Sequence, residues 1–133
     1  MKQHFDRTNP DEADEYFMNC IREGNVKNAM TCFDPEGVYM DKDGNAISGL
    51  TNIEKVVANL YNMRADVKVY EHKNAPVGYD MMYWLDKSTM TATDQQGNPI
   101  NKKGASAKMM RKSADGIWLW LVDNPFCCAF FAD

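Results

Sequence analysis

The sequence predicts an α+β domain in which a long antiparallel sheet curls around a pocket. Three strand-like segments, residues 79–93, 104–112 and 117–122, are joined by turns that contain glycine, which is typical of an antiparallel meander. Three short helical patterns precede this meander. Helices that come first and a long antiparallel sheet that follows favour the α+β class.

The three helices are predicted from caps and apolar periodicity. The first begins after Asn9 and ends at Gly24, and its apolar face is Ala13, Phe17, Cys20 and Ile21. The second is capped by Asn25 and carries Val26, Ala29, Met30 and Phe33 on one face. The third is predicted to begin with a capping box at residues 51–54, and its apolar face is Ile53, Val56, Val57, Leu60 and Tyr61.

Two further strands are predicted outside the meander. Residues 38–41 form a short strand that follows a break at residues 34–37, and residues 42–45 turn the chain. A strand at about residues 66–73 follows the third helix. We expect one domain over residues 1–133, with a core at about 9–126 and an apolar tail at 127–133 that packs on its own domain or on a second subunit.

Composition excludes several classes of protein. The 133 residues include 15 basic and 19 acidic side chains, so the net charge of −4 argues against a nucleic-acid surface. No apolar run approaches the ~20 residues of a membrane helix, and the first residues contain no apolar signal core. We therefore expect no membrane partner and a cytoplasmic location.

The cysteines and histidines predict neither disulfides nor a metal site. Cys20 and Cys32 lie on apolar stripes, and we interpret them as small core residues with reduced thiols. Cys127 and Cys128 are adjacent, which suits neither a routine disulfide nor a metal-binding knuckle. His4 and His72 are the two histidines of the chain, and His4 lies in a loose start, so a histidine-based metal site or catalytic triad is not expected.

Three polar residues among apolar neighbours are candidates for chemistry. Asp41 ends a short apolar strand, where it is either a desolvated general base or, with greater weight, an ordinary turn residue. Lys108 alternates with Ser106 and Met110, so it points either into a cavity or to the outer face. His72 either faces the pocket or lies at an exposed edge, and the exposed position has more weight.

The last strand favours a dimer. Trp118 and Trp120 are predicted to share one face with Val122 and Asn124, while the other face holds Ile117, Leu119, Leu121 and Asp123. Both faces are largely apolar, so both are expected to be covered. One face would meet the helices and the pocket and the other a second subunit.

The chain resembles the nuclear transport factor 2-like (NTF2-like) superfamily, particularly its SnoaL-like and ketosteroid-isomerase-like bacterial proteins. The resemblance covers about residues 11–126 and is carried by local strings in a shared order, namely residues 24–25, 33–39, 48–51, 89–94 with Gly97, Gly104 with 110–112, 115–118 and 123–126. It implies a cone-shaped sheet wrapped on three N-terminal helices, an apolar pocket open at one end, and a homodimer.

The resemblance also suggests site residues. Asp41 falls where steroid isomerases place a general-base aspartate on the strand after the second helix. Phe17, with Tyr16 beside it, falls where those enzymes have a hydrogen-bonding tyrosine, and Lys108 falls at about the position of their protonated aspartate. Because the pair that stabilises the oxyanion is absent, the resemblance argues against steroid isomerisation. The side chains expected to contact a ligand are Tyr16, Phe17, Tyr39, Tyr61, His72, Met82, Trp84, Met110, Trp120 and Asn124.

Two functions of different class follow from these residues. In the first, the chain is an isomerase, lyase or cyclase without metal or cofactor, in which Asp41 abstracts a proton next to a carbonyl and Lys108 or Tyr39 holds the oxyanion. In the second, the same pocket holds a small apolar metabolite or a partner's side chain without catalysis. A dimeric interaction domain with a filled pocket is a third alternative.

Overall fold

The computed structural model describes residues 4–127 and 129, and within them the chain forms three helices and six strands. The helices are α1 Pro10–Glu23, α2 Val26–Met30 and α3 Leu50–Asn62. The strands are β1 Phe33–Met40, β2 Ala46–Ser48, β3 Asp66–Val77, β4 Met81–Thr93, β5 Pro99–Lys112 and β6 Trp118–Asp123. The predicted α+β class is confirmed.

The strands form one sheet in the order β2-β1-β6-β5-β4-β3. The antiparallel meander β4-β5-β6 has the predicted connectivity. The sheet as a whole is mixed rather than antiparallel, because β1 runs parallel to β6. It is not closed into a barrel, and β2 and β3 are its edges in the described part of the chain.

Helix α1 begins and ends as its sequence predicts. The Asn9 side chain accepts a hydrogen bond from the Asp11 N–H at 2.9 Å, and Pro10 takes the first turn. At the other end Gly24 has a φ of 73°, and the Asn25 N–H donates to the Cys20 carbonyl at 2.9 Å. This is the Schellman arrangement, in which a glycine satisfies the last carbonyls of a helix.

The predicted capping box of α3 does not form. The cap residue is Gly49, no side chain caps the helix, and Thr51 already lies inside the first turn. The helix therefore starts two residues earlier than the Thr51 cap requires. Its stability comes from burial of Ile53 and Val57 rather than from the cap.

The predicted break at residues 34–37 is part of strand β1, which begins at Phe33. A bulge between Phe33 and Val38 absorbs this segment while both of its ends pair with β6. The carboxylate of Asp34 accepts hydrogen bonds from Arg111 at 2.8 and 2.9 Å, which ties the bulge to β5. Strand β2, which the sequence did not predict, adds an antiparallel edge to β1.

The core lies between the helices and one face of the sheet, where α1 packs on β3 and β6 and α3 packs on β1 and β2. Cys20 and Cys32 are buried there as free thiols, as predicted. Trp118 and Trp120 are buried, so the tryptophan face of β6 is the inner face. In the described part of the chain, no helix is long and apolar enough to cross a membrane. Of the predicted apolar tail, only Cys127 and Ala129 fall among the described residues.

The prediction that Asp123 shares a face of β6 with Leu119 and Leu121 is wrong. Met109 pairs with Val122 while the next residue, Met110, pairs with Trp120, so Leu121 is an extra residue in β6. Such a bulge reverses the alternation of side chains beyond it. Asp123 therefore turns inward, where it is buried.

Candidate functional site

A cavity of about 160 Å³ lies between the helices and the inner face of the sheet. Its lining is mostly apolar and includes Phe17, Met18, Tyr39, Leu60, Val69 and Met90. The exposed residues Lys102, Gly104 and Phe126 are also in the lining and mark where the cavity opens to solvent. A wider depression of about 260 Å³ runs along β3, β4 and β5, but most of its lining residues are exposed. The enclosed cavity is therefore the candidate site.

Charged side chains from three neighbouring strands meet at the buried end of this cavity. They are Asp86 of β4, Lys108 of β5 and Asp123 at the end of β6. The Lys108 ammonium lies 3.7 Å from Oδ2 of Asp86 and 3.9 Å from Oδ1 of Asp123. All three residues are buried, with at most 6% of the residue exposed. Buried ions are costly unless they are paired, so this cluster requires an explanation.

Asp14 of α1 completes the cluster from the helical side. It is buried, and it is near enough to interact electrostatically with Lys108, Asp86 and Asp123. Among the described residues, the cluster thus combines three carboxyl groups with one ammonium group. We call Asp14, Asp86, Lys108 and Asp123 the buried charge cluster.

Aromatic rings hold the cluster in place. The indole N–H of Trp84 donates to Oδ2 of Asp86 at 2.9 Å. The Lys108 ammonium lies 4.8 Å from the ring centroid of Trp120, a cation–π distance. Trp84 and Trp120 pack edge to face at 5.8 Å. The side chains of Asp86 and Lys108 are therefore fixed against buried rings, which restricts their rotamers.

Several polar atoms of the cluster have no hydrogen-bond partner. Within the described residues, Oδ1 of Asp14, of Asp86 and of Asp123 are all buried without a hydrogen bond. An unpaired buried acceptor costs about 1–3 kcal/mol, so such atoms are rare in folded proteins. Those of Asp86 and Asp123 belong to residues that line the cavity.

Burial and mutual repulsion shift the protonation of the cluster. Burial raises the pKa of Asp14 from 3.8 to about 6, although Lys108 opposes this shift. Burial also raises the pKa of Asp123, again against the pull of Lys108. Burial would lower the pKa of Lys108, but the carboxylates of Asp123, Asp14 and Asp86 outweigh it and raise that pKa. The lysine therefore stays charged while a carboxyl group can hold a proton near neutral pH.

Asp41 lies outside this cavity. Its Oδ1 accepts hydrogen bonds from the backbone N–H groups of Asp43 at 2.9 Å and Asn45 at 2.8 Å. These bonds, the one from Asn45 first, lower the pKa of Asp41, whose carboxylate is exposed. The geometry is that of an ordinary turn residue, one of the two interpretations of Asp41 from the sequence. Its role as a general base stays a prediction.

Of the other residues predicted for the site, Lys108, Phe17 and Tyr39 line the cavity. Trp84, Met110 and Trp120 are buried in the core, and Met82 packs against it. His72 is exposed, yet its ring stacks on Trp84 with centroids 4.9 Å apart. The remaining three lie away from the lining: Tyr16 beside Phe5 and Arg7, Tyr61 over Gly24, and Asn124 bonded to the Cys127 carbonyl.

Sequence reasoning missed the three aspartates of the cluster. Asp14 stands next to Ala13 and three residues before Phe17, so a charge on the apolar stripe of α1 was visible. Asp86 likewise alternates with Met82 and Trp84 on β4. Asp123 could not be found in this way, because the bulge at Leu121 reverses the simple alternation of β6. Among the described residues, no group of three His, Cys, Asp or Glu side chains is arranged to hold a metal ion.

An open mixed sheet that packs on three helices around a lined cavity is the NTF2-like fold, and solved structures show the same arrangement. No family model matches the chain, and none of the curated proteins is significantly similar to it in sequence. A candidate dehydratase from the NTF2-like family of Streptomyces avermitilis superimposes with a TM-score of 0.73 at 10% identity, covering 86% of this chain and 90% of that protein.

Two other solved structures show the range of proteins with this fold. A ketosteroid isomerase-like protein from Erwinia carotovora atroseptica has a TM-score of 0.70 at 15% identity, with 85% of this chain and 88% of that one covered. The association domain of C. elegans CaMKII has a TM-score of 0.64 at 12% identity, with 83% and 86% covered. The expected NTF2-like fold is confirmed, whereas identities this low show the fold alone.

Proposed function

We propose that this protein binds a small, mainly apolar molecule in the cavity and transfers a proton to or from it, as a cofactor-free isomerase, lyase or cyclase does. The observation that supports the proposal is the buried charge cluster at the end of an apolar cavity. Asp123 and Asp86 are the acid–base groups in this scheme, and Lys108 stabilises negative charge that develops on the substrate.

The physical support comes from burial and crowding. Three carboxyl groups surround one ammonium in the described cluster, so they cannot all ionise cheaply next to apolar walls. Burial raises the pKa of Asp123, and a buried carboxyl group with a raised pKa is suited to general acid–base catalysis. Asp41, by contrast, is exposed and already engaged by its own turn.

The test uses cyclohexanone in D₂O, whose carbons beside the carbonyl take up deuterium when a base removes a proton. Nuclear magnetic resonance follows the uptake for wild type and four variants. Ser88→Phe fills the cavity from β4, and Asp123→Asn removes the proposed base. Thr91→Phe, at an exposed position of the same strand, and Asp41→Asn are the matched controls.

Wild-type protein should accelerate the exchange, and Ser88→Phe and Asp123→Asn should each slow it about 100-fold, the usual contribution of one acid–base group. The two controls should exchange like wild type. Loss of exchange in Asp41→Asn alone would instead support the sequence-based prediction of that residue as the base. Binding of the ketone without exchange in wild type would support the second function, a non-catalytic binding protein.

We further propose that the chain is a homodimer that pairs through the outer face of its sheet. An apolar patch there, the outer patch, consists of Tyr83, Leu85, Met109, Leu119 and Leu121. Tyr83 pairs with Met109 across β4 and β5, and Leu119 lies on the next strand, β6. Tyr83 and Leu85 are 39% and 43% exposed, a contiguous surface that another subunit would cover.

A further inference from the structure

We propose that the ligand carries a protonated amine, and that Asp86 and Asp123 bind this ammonium group at the buried end of the cavity. The proposal rests on the proposed function, because it names the class of molecule that the same cavity takes. The ligand is then a cationic amine attached to a compact apolar body.

The first argument is the kind of polar atom that the cavity offers. In the described part of the lining, Oδ1 of Asp86 and Oδ1 of Asp123 are buried acceptors without a hydrogen bond, although the Lys108 ammonium lies 3.9 Å from Oδ1 of Asp123. A protonated amine brings three N–H donors, whereas a hydroxyl brings one and a carboxylate none. An amine can therefore satisfy both oxygens at once, and charge-assisted bonds of this kind are about twice as strong as neutral ones.

The second argument is charge. Among the described residues of the cluster, the one cation, Lys108, already lies between Asp86 and Asp123 and over the ring of Trp120. A ligand cation would bring the cluster closer to neutrality and lower the cost of its burial. A ligand that is itself anionic would meet two carboxylates at short range.

The third argument is size and shape. A cavity of about 160 Å³ is close to the ~150 Å³ of an engineered apolar cavity that binds benzene. The walls made by Phe17, Leu60 and Met90 suit one ring or a short branched chain. A ring with an aminomethyl group would place its apolar part against these walls and its nitrogen at the carboxylates.

The experiment compares three probes of similar shape, namely benzylamine, benzyl alcohol and benzoate, by isothermal titration calorimetry on the wild-type protein at pH 7 and low salt. Benzylamine should bind at least tenfold more tightly than the other two. The comparison needs no variant, so it does not depend on how a substitution affects folding. Tighter or equal binding of benzyl alcohol or benzoate, or no binding of any probe, would overturn the proposal.

Variants then assign the contact. Asp86→Asn and Asp123→Asn should each weaken benzylamine about tenfold, while Asp41→Asn, the same change at an exposed turn, should leave the affinity unchanged. Equal affinities for benzylamine in wild type and the three variants would refute the assignment of the amine contact to Asp86 and Asp123. The calorimetry and the exchange assay test the two proposals separately. Binding of benzylamine without proton exchange on cyclohexanone would refute the proposed catalysis alone. Proton exchange together with tighter binding of benzyl alcohol would refute the proposed amine ligand alone.

Discussion

At the scale of single residues, the molecule concentrates its unusual electrostatics in one place. Lys108 is shared by Asp86 and Asp123, and Asp14 faces them from α1. Replacing such a set with apolar residues of similar volume is often neutral or stabilising. Asp86, Lys108 and Asp123, which line the cavity, are therefore candidates for a role in binding or catalysis.

Asp14 provides a test of this electrostatic cost. Its pKa is about 6 in the folded protein against 3.8 ordinarily, so the folded state holds the proton more tightly than the unfolded state. The favourable contribution of protonated Asp14 to the free energy of unfolding is fully present below pH 3.8 and is lost as the pH rises through about 6. Above that pH the ionised side chain costs roughly 3 kcal/mol, because each pH unit between the two pKa values corresponds to about 1.4 kcal/mol.

Asp14→Asn should accordingly raise the free energy of unfolding by about 1–3 kcal/mol at pH 7.5, and this gain should disappear near pH 4. Urea unfolding at the two pH values measures it. Asp43→Asn, the same substitution at an exposed turn position, should change stability by less than about 0.5 kcal/mol at either pH. A loss of stability in Asp14→Asn at pH 7.5 would contradict the assigned burial cost.

At the scale of secondary structure elements, the end of α1 shows how a local signal and a tertiary contact act together. Gly24 stops the helix with a positive φ of 73°. A residue with a Cβ atom adopts this conformation only at a cost of about 1–2 kcal/mol. A Cβ atom at this position would also overlap the ring of Tyr61, which reaches over from α3. The glycine thus serves both the backbone and the packing of two helices.

Gly24→Ala should lower the free energy of unfolding by about 2–3 kcal/mol, the backbone strain plus the displacement of Tyr61. Gly97→Ala is the matched control, because its φ is +82° and its added Cβ would have nothing within 4 Å. It should cost about 1–2 kcal/mol, from strain alone. In a protein that already carries Tyr61→Ala, Gly24→Ala should lower the free energy of unfolding by the same amount as Gly97→Ala does in wild type. A cost of Gly24→Ala that stays larger in that background would refute the packing explanation.

At the scale of the whole molecule, the open sheet has two different faces. The inner face carries the core and the cavity, while the outer patch of Tyr83, Leu85, Met109, Leu119 and Leu121 faces away from them. A stable interface buries about 800 Å² on each partner, which is more than these side chains alone supply. The proposed dimer therefore also covers residues of β4, β5 and β6 that adjoin this patch.

Leu85→Glu should convert the dimer to a monomer, because it places a charge in the middle of the contact. Thr91→Glu, on the same face of β4 but far from the patch, should leave the dimer intact. Sedimentation equilibrium and native mass spectrometry at matched concentrations distinguish the two species. A monomeric wild-type protein would rule out the dimer directly.

Local features of the sequence predicted the class of fold, the end points of α1, the β4-β5-β6 meander and Lys108 as a candidate site residue. These depend on local physics, namely caps, glycine turns and apolar periodicity, which act over a few residues. Phe17, expected at the site from the family resemblance, and Tyr39, a candidate to hold the oxyanion, both line the cavity.

Which carboxylates meet depends on tertiary contacts. Asp14, Asp86 and Asp123 are far apart in the chain and come together because β6 inserts between β1 and β5 while α1 packs across the sheet. The parallel pairing of β1 with β6 and the bulge at Leu121 are long-range events, and the bulge turns Asp123 inward against its sequence alternation. Asp41, by contrast, is held by a local interaction outside the cavity lining, since two backbone N–H groups of its own turn bind its carboxylate.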